Sequence, residues 1–158
     1  MTSRVPPGEK RTKDTITSDG WMRTGDLGVM DEQGFVNIVG RIKDMIIRGG
    51  ENVYPVEVEG FLYTHPDIRD VQVIGVPDEK FGEEVMACVI MKDGRPPLTY
   101  DAMKAFCKDQ LAHYKIPRYL EVVTEYPMTV TGKVRKVEMR EQAVKRLGLE
   151  QAAAIKTA

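Results

Sequence analysis

Val85-Met86-Ala87-Cys88-Val89-Ile90-Met91 is the longest uninterrupted apolar run in the chain. It has strand length and falls far short of the ~20 residues that cross a bilayer. A strand with one wet face alternates polar and apolar side chains. An unbroken run reads instead as a strand buried on both faces. Upstream, Arg69 to Val76 alternates and reads as a second strand, parted from the first by a loop at Pro77-Asp78-Glu79-Lys80-Phe81-Gly82. Before it, Pro55 suits the first position of a helix, which should reach about Tyr63 with Val58, Phe61 and Leu62 inward. His65-Pro66 closes that helix. Downstream, Thr99 can cap a helix to about Ala112, with Met103, Phe106, Cys107 and Leu111 on one side. Tyr119 to Val123 reads as a third core strand, and Val137 to Leu147 as a last helix stopped by Gly148.

Two hairpin patterns precede this alternation. Asp26 to Met30 and Phe35 to Val39 flank the turn Asp31-Glu32-Gln33-Gly34, and Met45 to Arg48 and Val53-Tyr54 flank Gly49-Gly50-Glu51-Asn52. Between them lies the polar break Arg41-Ile42-Lys43-Asp44. The fold class expected is α/β (α+β): a small sandwich of a three-stranded core sheet flanked by helices, with N-terminal β-hairpins. Residues 1–17 are polar and carry Pro6-Pro7-Gly8, so they read as a weakly packed, mobile segment. The expected divisions are a hairpin segment over 18–40, a hinge over 41–44, the main unit over 45–149 and a tail over 150–158.

The chain of 158 residues is 42% apolar and 30% charged, the balance of a globular protein with a real core. Its formal net charge of -1 gives no global field for nucleic acid or an anionic membrane. Cys88 and Cys107 sit within apolar patterns, which argues against a disulfide framework or a cysteine zinc cluster. His65 and His113 do not stand at metal spacing, so no metal site is expected. We expect no transmembrane segment, secretory signal, transit peptide or peroxisomal tripeptide, and therefore an intracellular, cytoplasmic location.

Local clusters carry the possible chemistry. Tyr126-Pro127-Met128-Thr129-Val130-Thr131-Gly132-Lys133-Val134-Arg135-Lys136 is turn-rich and cationic. Lys133 can meet a phosphate or carboxylate there, or be an exposed turn residue. The loop lacks the spacing of a P-loop. Gly49-Gly50 reads first as a left-handed turn and second as a place of close ligand approach. Asp26 can accept hydrogen bonds from a sugar diol or simply begin the hairpin. The two histidines read as capping or surface residues.

The order of these pieces adds to the reading. Gly20-Trp21-Met22-Arg23-Thr24-Gly25-Asp26-Leu27-Gly28, then the segment from Gly40-Arg41-Ile42-Lys43-Asp44 through Arg48-Gly49-Gly50-Glu51-Asn52-Val53-Tyr54-Pro55, then Pro127 to Lys133 resemble the closing motifs of the adenylate-forming superfamily. Ile46 to Pro55 and His113-Tyr114-Lys115-Ile116-Pro117 are most similar to fatty-acyl-CoA synthetases. The resemblance spans roughly Ser18 to Leu149.

It implies an acid–thiol ligase that activates a carboxylic (fatty) acid with ATP and Mg²⁺ to an acyl-adenylate. The acyl group then passes to CoA, and a small C-terminal domain rotates between the steps. By motif, Lys133 would be the adenylation lysine, Asp26 would hold the ribose hydroxyls and Arg41 would contact the nucleotide. Lys43 would be the hinge, and Gly49 and Gly50 would line the pantetheine path of CoA. This chain would be the C-terminal domain with the last hairpin of a large N-terminal domain, inactive alone and holding no cofactor tightly. The other readings are a stand-alone nucleotide- or CoA-binding module, and part of an enzyme that loads a carrier protein.

Overall fold

The computed structural model describes residues 15–155. The chain divides into two compact units, parted between Lys43 and Asp44.

In the first unit, β1 (Asp26–Met30) pairs antiparallel with β2 (Val36–Arg41). Asp31 makes the turn: its Oδ1 accepts the N–H groups of Gln33 and Phe35, both at 2.9 Å. The unpacked segment expected over 1–17 lies outside the described residues as far as residue 14. The end of that segment is largely exposed and makes backbone pairings. Ile16 bridges Met22, and the Arg23 N–H donates to the Thr15 carbonyl at 2.7 Å. A 3₁₀ turn, Ile42–Asp44, covers the junction.

The second unit is built on β3 (Ile46–Arg48), β4 (Glu51–Val53), β5 (Ile68–Asp78), β6 (Gly82–Met91) and β7 (Tyr119–Val122). These form one five-stranded sheet in the order β4-β3-β6-β5, with β7 parallel to β6. The expected three-stranded core is thus corrected to five. The second hairpin joins the sheet through the pairing of Arg48 with Gly82, a long-range contact that no local pattern announces.

The period of two explains the double burial of β6. Val85, Ala87 and Val89 face one core with Val71 and Val73 of β5. Met86, Cys88 and Ile90 face the other with Ile74 and Val76. Helix α1 (Pro55–Leu62) covers the first face with Val58 and Leu62, and α2 (Tyr100–Cys107) with Met103 and Cys107. Helix α3 (Lys136–Leu147) covers the second face with Met139 and Ala143.

Several boundaries move. The loop expected over 77–82 shortens to three residues between β5 and β6, because Asp78 Oδ1 accepts the N–H groups of Lys80 (2.9 Å) and Phe81 (2.8 Å). The Thr99 cap forms, its Oγ1 taking the Ala102 N–H at 3.3 Å, but α2 stops at Cys107 rather than near Ala112. Asp109 there adopts φ +62, turning the chain so that Leu111 packs back on the first core. The expected tail contains a short helix, α4 (Glu150–Ala154). Gly148, left-handed at φ +66, ends α3, and Leu149 then anchors on the second core. Residues 156–158 of that tail lie outside the described residues.

Cys88 and Cys107 are core thiols, 2% and 0% exposed. Burial pushes the Cys88 thiol up to about 12 and the Cys107 thiol up to about 11. The thiolate is the reactive form, so a raised pKa and lost access act in the same direction. At pH 8 both should react with iodoacetamide at least about a hundredfold more slowly in the native chain than in denaturant. Equal rates in the two states would contradict this packing.

Candidate functional site

The loop before α3 is shaped from both ends. The buried Tyr126 hydroxyl donates to the Cys88 carbonyl at 3.0 Å, fixing the entry to β6. Met128 and Val134 bridge across the neck, and the Arg135 N–H donates to the Pro127 carbonyl at 2.8 Å. At the tip the Thr129 N–H reaches the Lys133 carbonyl (2.8 Å), the Gly132 N–H the Thr129 carbonyl (2.9 Å), and the Lys133 N–H the Thr129 hydroxyl (3.0 Å). Gly132, at φ +78, supplies the left-handed residue the turn requires. Val130 projects fully into solvent. The Lys133 backbone is therefore held twice. Its side chain is exposed, and its ammonium has no ion-pair partner among the described residues. Such a group can meet an incoming anion without first breaking an internal pair.

The Gly49–Gly50 turn is the two-residue connection between β3 and β4. Both residues are left-handed, at φ +58 and +89, the pattern that matches the twist of a hairpin. The Gly49 N–H donates to the Phe81 carbonyl at 2.8 Å, and a Cβ at Gly49 would stand 3.0 Å from the Phe81 ring. A Cβ at Gly50 would meet nothing within 4 Å, so that residue presents open backbone.

Asp26 and Arg41 are direct cross-strand partners, with Arg41 Nε donating to Asp26 Oδ1 at 3.2 Å. The pair is partly exposed and contributes little to stability, and it orients the carboxylate. Lys43 lies exposed in the 3₁₀ turn at the junction of the units. The structure thus brings Asp26 and Arg41 together in the first unit. It sets Lys133 and the glycine turn on separate supports in the second.

Reading along the chain misses the charged pair whose arginine immediately precedes the glycine turn. Arg48 grips Glu84 with two hydrogen bonds, Nε to Oε2 at 2.7 Å and a second nitrogen to Oε1 at 2.8 Å. The Glu84 side chain is wholly buried. The Arg48 guanidinium also lies 4.3 Å from the centre of the Phe81 ring. The Glu84 hydrogen bond holds Arg48 protonated beyond its ordinary value. The available signal was register: Glu84 keeps step with Met86, Cys88 and Ile90 on an inward face. Among the described residues no group of three or more His, Cys, Asp or Glu side chains could hold a metal ion. No helix there is long and apolar enough to cross a membrane.

Residues 57–133 match the family described as AMP-binding enzyme C-terminal domain. The chain is 54% identical over 140 residues to the medium-chain acyl-CoA ligase ACSF2, mitochondrial, of Bos taurus, covering 89% of this chain and 23% of that protein. It is 53% identical over 138 residues to the putative acyl-CoA synthetase YngI of Bacillus subtilis, covering 87% of this chain and 25% of that protein. Among solved structures, ATP-bound MatB from Rhodopseudomonas palustris superposes with a TM-score of 0.79 at 38% identity, over 86% of this chain and 27% of that one. The chain therefore spans about a quarter of the length of these relatives. The family match lies wholly within the second unit and ends on Lys133: residues 57–133 carry the AMP-binding enzyme C-terminal domain, and over most of its length the chain is similar to about a quarter of each of these larger proteins.

Proposed function

We propose that this chain supplies the adenylation lysine and the thioester-forming face of an ATP-dependent carboxylic acid–CoA ligase, and is inactive without a large N-terminal domain. The observation that carries the reading is the Lys133 ammonium, presented on a twice-bonded turn with no counter-ion among the described residues. In the first half-reaction a carboxylate oxygen attacks the α-phosphate of ATP and pyrophosphate leaves. Negative charge crowds between two anions, and a fixed cation there lowers the barrier electrostatically. In the second half-reaction the CoA thiol displaces AMP to give the thioester.

The other roles follow the same reading. Asp26, oriented by Arg41, accepts from the ribose hydroxyls, and Arg41 turns its exposed face to the nucleotide. Asp26 fits that task because its second carboxylate oxygen has no hydrogen-bond partner among the described residues. Lys43 serves as the hinge over residues 41–44. Gly49 and Gly50 give a side-chain-free surface to the pantetheine arm. Mg²⁺ is assigned to the phosphates of ATP, not to side chains of this chain. The acid substrate belongs to the fatty or other carboxylic acids, and the large domain selects its length. We retain the cytoplasm as the proposed compartment; the Bos taurus relative is named as mitochondrial, and cell fractionation with an antibody to this chain distinguishes the two.

The test compares the purified chain with a joined enzyme, in which the chain replaces the matching quarter of the Bacillus subtilis relative. With ATP, Mg²⁺, CoA and a panel of fatty acids, only the joined enzyme should release acyl-CoA. Acyl-adenylate or acyl-CoA from the chain alone would refute the reading. So would a folded joined enzyme that binds ATP and makes neither product.

A further inference from the structure

Lys136 opens α3 three residues beyond Lys133. A cation in the first turn of a helix is opposed by the macrodipole, so its presence there calls for a compensating partner. The structure provides two. Lys136 Nζ lies 2.6 Å from Glu59 Oε1 and 3.1 Å from the Val73 carbonyl oxygen. Glu59, on α1, accepts the Val73 N–H at 2.8 Å on that same oxygen. Three elements, α1, β5 and the start of α3, meet at one point. The side chains of the pair are 20% and 14% exposed, so water and salt screen them less than a surface pair.

Docking of α3 does not need this contact. Met139 and Ala143 already bury in the second core, and Arg140 Nε donates to the Gly75 carbonyl at 2.8 Å. What Lys136 adds is a tie from the end of the Lys133 loop to α1 and β5. The entry is fixed by Tyr126 and the neck by the Arg135–Pro127 bond.

We propose that Glu59 and Lys136 are positioning residues for Lys133: the pair pins the exit of the loop to the sheet edge and so sets where the ammonium is delivered. The proposal rests on the adenylation role of Lys133 given above. A displacement of about 1 Å at a reacting group can cost up to about a hundredfold in rate, so loosening one anchor has a kinetic signature.

The test uses single-turnover assays of both half-reactions in the joined enzyme. Lys136→Met should slow adenylation about ten- to a hundredfold, with KM for ATP and the thioester step from supplied acyl-adenylate unchanged. Lys136→Arg should restore most of the rate. The double variant Lys133→Ala/Lys136→Met should be no slower than Lys133→Ala alone, because Lys136 acts only through Lys133. If Lys136→Met lowers the yield of folded enzyme, Glu59→Gln is read in the same assays; its amide oxygen can still accept the Val73 N–H. Positioning is overturned if these variants keep the parent rate, if both half-reactions fall together, or if the losses multiply in the double variant. A silent Lys133→Ala overturns the adenylation role itself. A slow Lys133→Ala beside a silent Lys136→Met and Glu59→Gln overturns positioning alone.

Discussion

Lys133→Ala in the joined enzyme is expected to slow acyl-adenylate formation about 10²–10³-fold, the usual cost of removing one preorganised electrostatic contact from a transition state. Thioester formation from supplied acyl-adenylate should stay near its original rate, because the proposed rotation carries Lys133 away before that step. The substitution should leave the fold intact. The bonds that shape the turn use the Lys133 backbone and the Thr129 side chain, and the ammonium has no ion-pair partner among the described residues to lose. If Lys133 is only an exposed turn residue, both half-reactions are untouched. Equal losses in both would show that it does not separate the steps. Either result removes the two-state assignment.

The second large effect concerns stability. Arg48→Met should destabilise the isolated chain by about 3–5 kcal/mol, the cost of leaving a buried charge without its partner. Glu84 is wholly buried and receives two hydrogen bonds from Arg48, whereas Arg118 approaches it only to 3.7 Å. Arg118 is also half in solvent, so it cannot take over the bidentate geometry without moving. The double change Arg48→Met/Glu84→Leu should recover most of the loss, since well-packed apolar residues often match a buried ion pair. Urea unfolding midpoints of the three proteins decide it. A single-variant loss below about 1 kcal/mol would place the pair with ordinary surface pairs. Arg48 immediately precedes the Gly49–Gly50 turn and lies against Phe81, whose carbonyl accepts the Gly49 N–H, so loss of the pair should also slacken the surface proposed for the pantetheine arm.

The legible part of this protein was its burial and its turns. The run Val85 to Met91 announced a strand covered on both faces, and alternate residues do enter two different cores. Gly49-Gly50 was readable as a left-handed turn, and Thr99 as a cap, because a required φ or an unpaired N–H is a local condition met by few residue types. The end of α2 was not legible. Asp109 takes a left-handed φ there so that Leu111 can reach a core built from distant strands.

The candidate site divides in the same way. Lys133 stood out because its neighbours Thr131 and Gly132 form a turn that any reader of the sequence can see. Arg48 and Glu84 did not, since each looks like an ordinary charge until residues 36 apart are brought together. The same holds for Glu59 and Lys136, 77 residues apart. Periodicity and turn chemistry act over a few residues, so they state which side chains can be buried and where the chain must bend. Which charge meets which depends on strand order and helix docking. Those follow from packing free energy summed over the whole domain, and no short stretch of residues contains it.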